Sequence, residues 1–185
     1  MKNLLLQYKS FLLFLGKFLV SYLLLTILYQ SFLNRFDEAK SEVDSVTQIV
    51  AKQTEIVLKW ADANAYVENN QHEPSIKVFY KHKYVIRIIE GCNALSVIIL
   101  FIAFLIAFSG KFINTVLFAI VGSLIIHLLN IARIAFLAIA LYHYPAAEHI
   151  LHGVVFPLII YGVVFLLWVI WVNKFSYYAT ATAKQ

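Results

Sequence analysis

The chain has 185 residues, 62% of them hydrophobic and 14% charged, with a mean hydropathy of +0.78, a balance that excludes a soluble globular domain and leaves a small polytopic membrane protein. A formal charge of +5 would suit nucleic acid, but the basic residues are scattered and several flank apolar runs, so they read as topology signals and no nucleic-acid partner is implied. The single cysteine, Cys92, excludes an intrachain disulfide framework.

Residues 1–33 form an N-terminal anchor. Its apolar stretch runs from Phe11 to Phe32, follows Lys2 and Lys9, and is interrupted only by Lys17, whose long stem can snorkel toward the headgroups. No small-x-small cleavage site follows, so the segment reads as a retained span rather than a cleaved signal. Residues 34–90 are polar and charged and are the part able to fold in water. Val43, Val46, Val50 and Val57, interleaved with Asp44, Gln48, Lys52 and Glu55, predict one or two amphipathic helices. Asn64 to Ser75 reads as a loop. Ile76, Val78 and Tyr80, then Tyr84, Ile86 and Ile88, alternate on either side of Lys81-His82-Lys83, which predicts a short hairpin leading into Glu90-Gly91-Cys92.

Residues 91–173 form a three-span core. The second span is expected over Asn93 to Phe108, closed by Ser109-Gly110-Lys111. The third runs from near Ile113 to Tyr142 and contains His127, Asn130 and Arg133. The fourth runs from Gly153 to Val172, with Trp168 and Trp171 near its end. Residues 174–185 are a polar tail. The expected fold class is therefore an all-α polytopic membrane protein, with about four transmembrane helices and one extracytoplasmic segment, helical plus a hairpin, between spans one and two. Lys2, Lys9, Lys17, Lys111, Lys174 and Lys184 put both termini and the second loop on the cytoplasmic side of an inner membrane, so that the start of span two faces the periplasm. A rise of about 1.5 Å per residue carries Arg133 about 30 Å from Ile113, to the same outer boundary.

Cys92 at the start of a helix would sit where unpaired N–H groups and the helix dipole favour a thiolate, with Glu90 opposing that by charge repulsion. The plainer alternative is a small packed hydrophobe. Arg133 within an apolar span costs about 2.5–3.5 kcal/mol on insertion scales, so it is expected to face a cavity or partner, unless it snorkels at the interface. Asn130, three residues away, shares its helix face. His127 reads as a hydrogen-bonded buried histidine and is left out of the site. A thiol, a fixed cation and an imidazole are the parts of acyl transfer through a thioester, with a peptide bond as the natural substrate.

The boxes EGCNAL, NIAR and a histidine opening the last span, in that order, resemble the exosortase/archaeosortase family of membrane cysteine transpeptidases; the ending HGVVFPLIIYGVVFLLWVIWVN looks most like the short exosortase F form of Bacteroidetes. The resemblance covers roughly Val85 to Asn173 and departs from the longer members in span number and in Gly153, where an acidic residue is common. It implies catalytic roles for Cys92, Arg133 and a histidine, no cofactor, and as partners exported proteins bearing a C-terminal tripartite sorting signal together with a cell-envelope acceptor. Glu148-His149-Ile150-Leu151-His152 offers two histidines three residues apart. His152 is preferred because its depth, about 20 residues from Trp171, matches that of Cys92. His149, Asn130 and Glu90 take supporting places. Two rival classes remain: a non-enzymatic envelope scaffold, and a metal or thiol redox site built from Cys92, His143, His149 and His152, whose spacing follows no zinc pattern.

Overall fold

In the computed structural model, which describes residues 8–37 and 41–177, α1 is Lys9–Leu33, α2 Ser45–Ala61, β1 Tyr66–Asn69, β2 Ile76–Tyr80, β3 Lys83–Ile88, α3 Leu95–Ala107, α4 Phe112–His143 and α5 Phe156–Ile170. Lys2 and Lys184, which carry part of the charge argument, lie outside the described residues. Proline-free runs of Leu, Ile and Phe account for α1, α3 and α4. A single turn, Glu148–Ile150, and a π turn, Leu151–Val155, lead into α5, giving one apolar stretch over Pro145–Lys174.

The helices alternate in direction. Lys17 Nζ reaches Ser109 Oγ at 3.3 Å and Tyr177 N–H donates to Ser109 O at 3.0 Å, so Lys17, Lys111 and Lys174 gather at one end of the bundle. Tyr29, Cys92, Arg133 and His152 gather at the other. Phe11–Leu33, Phe112–His143 and Pro145–Lys174 are long and apolar enough to cross a membrane. The fourth apolar helix, α3, is not: 13 residues rise only about 20 Å against a hydrocarbon layer of about 30 Å. Of the about four spans expected from the sequence, three are thus long enough by length and composition, and the second corresponds to a shorter apolar helix that leans on them. Phe101 of α3, wholly buried, fills the space left by Gly122 of α4. Trp171 is equally buried and donates from Nε1 to Phe108 O at 2.8 Å, while Trp168 stacks on Phe104 at 4.3 Å between ring centres. The two tryptophans expected as interfacial aromatics are packing residues of the bundle.

Over the site end lies a layer of α2 and a three-stranded antiparallel sheet ordered β1-β2-β3. The hairpin is as the alternation predicts: Ile76 pairs with Ile88 and Tyr80 with Lys83. The third strand, β1, falls in the stretch expected to be a loop, so the segment is not purely helix and hairpin, and all-α is corrected to mostly helical. β1 is only four residues, and what fixes it is pairing with β2 and the stack of Tyr66 on Phe79 at 4.6 Å. Asp44 caps α2 by accepting from Val46 N–H and Thr47 N–H. The buried face of α2 is Thr47, Val50, Ala51, Thr54 and Leu58, rotated from the valine stripe the sequence suggested. It shares a core with Val78 and Ile88 of the sheet and Ile134, Ala135 and Ala138 of α4.

Two results follow from this packing. A Cβ on Gly122 would run into the buried Phe101 ring, so Gly122→Ala should lower stability by about 1–3 kcal/mol in detergent unfolding. Gly16→Ala, with open space around it in α1, should be neutral or gain up to about 1 kcal/mol. Equal effects would contradict the close approach of α3 and α4. The second concerns pH. Burial raises the pKa of Glu55, but bonds from Lys52 and Lys59 at 2.8 and 2.6 Å outweigh it and hold the carboxyl below the ordinary glutamate value. Arg87 does the same for Glu73. Depressed folded values stabilise the layer above the ordinary glutamate pKa of about 4.3, and this contribution disappears as pH falls below it. Amide exchange in the sheet should quicken over that range, and a Glu55→Gln/Glu73→Gln double variant should flatten the dependence.

Candidate active site

Cys92 ends a 3₁₀ turn, Glu90–Cys92, that follows β3 directly. Its N–H donates to Ile89 O at 2.9 Å, and Asn93 N–H donates to Glu90 O at 3.2 Å. Ala94 then takes a left-handed conformation, φ 63°, which costs a non-glycine residue roughly 1–2 kcal/mol. Only at Leu95 does α3 begin, its N–H capped by Asn93 Oδ1 at 2.9 Å. The expectation that Cys92 stands in the first turn of the helix is therefore corrected. It lies before the N-cap, in a separate turn, and the dipole of α3, effective only near its first turn, is not what acts on the thiol.

Two buried carboxamides fix this turn. Asn93 donates from Nδ2 to Tyr29 Oη at 3.1 Å and to Thr47 Oγ1 at 3.2 Å, tying the turn to α1 and α2. Tyr29 in turn donates to the Glu90 carboxylate. Glu90 thus faces α1 and lines a second cavity with Thr26, Tyr29 and Asp44, instead of the one Cys92 lines. It acts as a staple for the turn. From the opposite side Asn130 of α4, wholly buried, donates from Nδ2 to Cys92 O at 2.6 Å.

Arg133 is one turn further along α4, with Nη1 3.5 Å from Asn130 Oδ1, Nη2 3.4 Å from His152 Nδ1 and Cζ 5.9 Å above the Phe156 ring. Its Nε is buried with no hydrogen-bond partner. A guanidinium only donates, so His152 Nδ1 is on the acceptor side of this contact. His152 stands in the π turn, in which Phe156 N–H donates to Leu151 O, five residues back. Pro157 gives the reason: with no N–H, and a ring that crowds the carbonyl four residues before it, it blocks the α ladder there.

Cys92, Arg133 and His152 line one cavity of about 380 Å³. One wall is α4, through Ile134, Leu137 and Leu141; the other is Tyr84 to Ile89, along β3. β3 is an edge strand, paired only with β2. His149 is exposed and outside this lining. Glu148, which the sequence reading passed over as a site residue, is inside it, four residues before His152; that helical spacing was the available signal. His127 lies 2.8 Å from Gln53, a partnered histidine outside the site. Among the described residues, no group of three or more His, Cys, Asp or Glu is placed to hold a metal ion.

Antiparallel apolar helices with a cysteine, an arginine and a histidine around a cavity at one end define a polytopic membrane protein with a candidate enzymatic centre. A family model described as transmembrane exosortase matches residues 4–172, nearly the whole chain. The chain belongs to that family of membrane-embedded protein-processing enzymes. No curated protein and no solved structure matches it.

Asn130 gives the test of this geometry. Asn130→Ala leaves the Cys92 carbonyl without its donor and should cost about 1–3 kcal/mol. Asn130→Asp, which sets a carboxylate against that carbonyl, should cost more. Both should speed maleimide labelling of Cys92 as the turn loosens, and unchanged labelling would show that Asn130 does not hold it.

Proposed function

We propose that this protein is a cysteine transpeptidase that cuts C-terminal sorting signals from exported proteins and passes the new carboxyl end to a cell-envelope acceptor through a thioester on Cys92. The observation that carries the reading is the shared cavity of Cys92, Arg133 and His152 walled by an edge strand. The unpaired backbone groups of such a strand suit an extended peptide. The short bundle, with its His152-to-Phe156 spacing, supports the exosortase F form in particular.

The chemistry runs on three groups. Arg133 is held by His152 through a long contact of 3.4 Å, which a better acceptor can displace. The carbonyl of the scissile bond takes the guanidinium donors. His152 Nδ1, released, accepts the Cys92 thiol proton, and the sulfur adds to the carbonyl carbon. Negative charge builds on the carbonyl oxygen against Arg133, whose planar fork supplies two directed donors. The imidazolium gives its proton to the departing amine as the C–N bond breaks, leaving the acyl group on sulfur. The acceptor nucleophile then loses its proton to His152 as it displaces the thiolate. Asn130 positions both Cys92 and Arg133, and Glu90 holds the turn from behind.

The basic residues at the far end of the bundle support an orientation in which this cavity faces the periplasm across the inner membrane.

In cells expressing the protein with its exported substrates, Cys92→Ala and His152→Ala should stop processing and precursors should accumulate uncut. Arg133→Lys keeps the charge but loses the fork and should slow turnover about 10²–10³-fold. His149→Ala should process normally. Full processing by Cys92→Ala would overturn the enzyme and leave the scaffold reading; loss in His149→Ala with none in His152→Ala would reassign the acid.

A further inference from the structure

We propose that α2 is an interfacial helix seated in the membrane leaflet at the site end, with Ile49, Ile56 and Trp60 inserted among the acyl chains. These three side chains are 53%, 50% and 82% exposed, in a helix whose opposite face is buried. With Gln53 they fall at spacings of four, three and four residues, which puts them on one stripe.

The direction of that stripe is set by α4. Gln53, within it, meets His127, which lies 15 residues or about 22 Å along α4 from Phe112. The buried face, through Val50, Ala51 and Leu58, packs with Ile134, Ala135 and Ala138, about 10–16 Å further toward the site end. The Gln53 side of α2 is therefore the side turned down into the membrane, and the buried side is turned up toward the sheet. Leu124 and Leu128, which flank His127 on α4, are 54% and 56% exposed, so the stripe continues the lipid-facing surface of a spanning helix. A hydrocarbon layer of about 30 Å beginning near Phe112 would end about 8 Å beyond His127, the depth at which amphipathic helices rest. Lys52 and Lys59, the partners of Glu55, stand beside the stripe, 68% and 48% exposed, and each ammonium keeps donors for a phosphate. A soluble partner would instead have to approach the face turned toward the bilayer.

The test uses the full-length protein in vesicles of phosphatidylethanolamine and phosphatidylglycerol, with Cys92→Ala removing the only native thiol. Spin labels are placed at Ile56→Cys and, separately, at Trp60→Cys. Leu128→Cys serves as the lipid reference and Glu68→Cys, exposed on β1, as the water reference. Collision with dissolved oxygen should rise and collision with a water-soluble nickel chelate should fall at both sites, shifting them toward Leu128. Values like those of Glu68 overturn the proposal. Exclusion of both reagents would also overturn it, by showing a protein, a second copy or another chain, on the stripe. Both positions are solvent-exposed in the fold, so either variant alone decides the matter if the other expresses poorly. Because the readout is depth and not processing, it stands apart from the fate of the proposed chemistry.

Discussion

Backbone at membrane depth must have its N–H and C=O groups bonded within the protein, because lipid offers neither donor nor acceptor. The turn from Glu90 to Ala94, set among apolar helices, meets the same demand outside a regular helix. Ile89 and Glu90 carbonyls take the Cys92 and Asn93 N–H groups, Asn93 caps Leu95, and Asn130 supplies the donor for the Cys92 carbonyl. Remove the carboxamides and the turn holds polar groups with nowhere to go, each worth about 1–3 kcal/mol when stranded. The buried asparagines are thus the condition for having a bent, thiol-bearing segment among apolar helices at all.

The rest of the architecture is arranged around that condition. Because the turn lies below the end of α1 and α4, the helix that follows it is short, and α3 needs long neighbours to lean on. Gly122 lets Phe101 close against α4, and Phe14 packs on Phe104 and Phe108 from α1. The α2 and sheet layer closes the structure above, and its last strand delivers the chain into the turn with no intervening linker. Cys92 is therefore held by two layers, one folded on the sheet core and one on the helix core.

Much of this was legible in the residues. The alternation of Ile76, Val78 and Tyr80 with Ile86 and Ile88 marked the hairpin, because period two is intrinsic to a half-buried strand. Apolar runs marked the helices within a few residues. What was hidden depends on contacts between elements. Tyr66-Val67-Glu68-Asn69 carries too little pattern to read as a strand without its partner, and the start of α3 was misplaced because nothing in EGCNAL announces that Ala94 turns left-handed. Glu90 beside Cys92 in sequence looked like a neighbour in space, yet successive residues of a tight turn point apart and it bonds to Tyr29, 61 residues away. Depth along the chain favours His152 over His149 as the partner of Cys92, a one-dimensional argument that needs no packing; in the structure His152 lines the cavity of Cys92 and Arg133 and His149 does not.

A further regularity appears once the elements are placed. The two residues proposed to exchange a proton stand at departures from α geometry, Cys92 in a 3₁₀ turn and His152 in a π turn, while Asn130 and Arg133 between them lie on the unbroken α4. The division has a mechanical logic. A regular helix with every i to i−4 bond made is stiff and gives Asn130 and Arg133 a fixed separation along one face, suited to groups that locate charge. A tightened or widened turn redirects one side chain away from the helix surface without requiring the next residues to follow, and π turns recur at functional sites for that reason. Pro157 withholds an N–H where the widened turn passes into α5, while Asn93 and Asn130 supply bonds to the tightened one. Rigid ruler and paired breaks together bring the three side chains to one cavity from three separate helical segments.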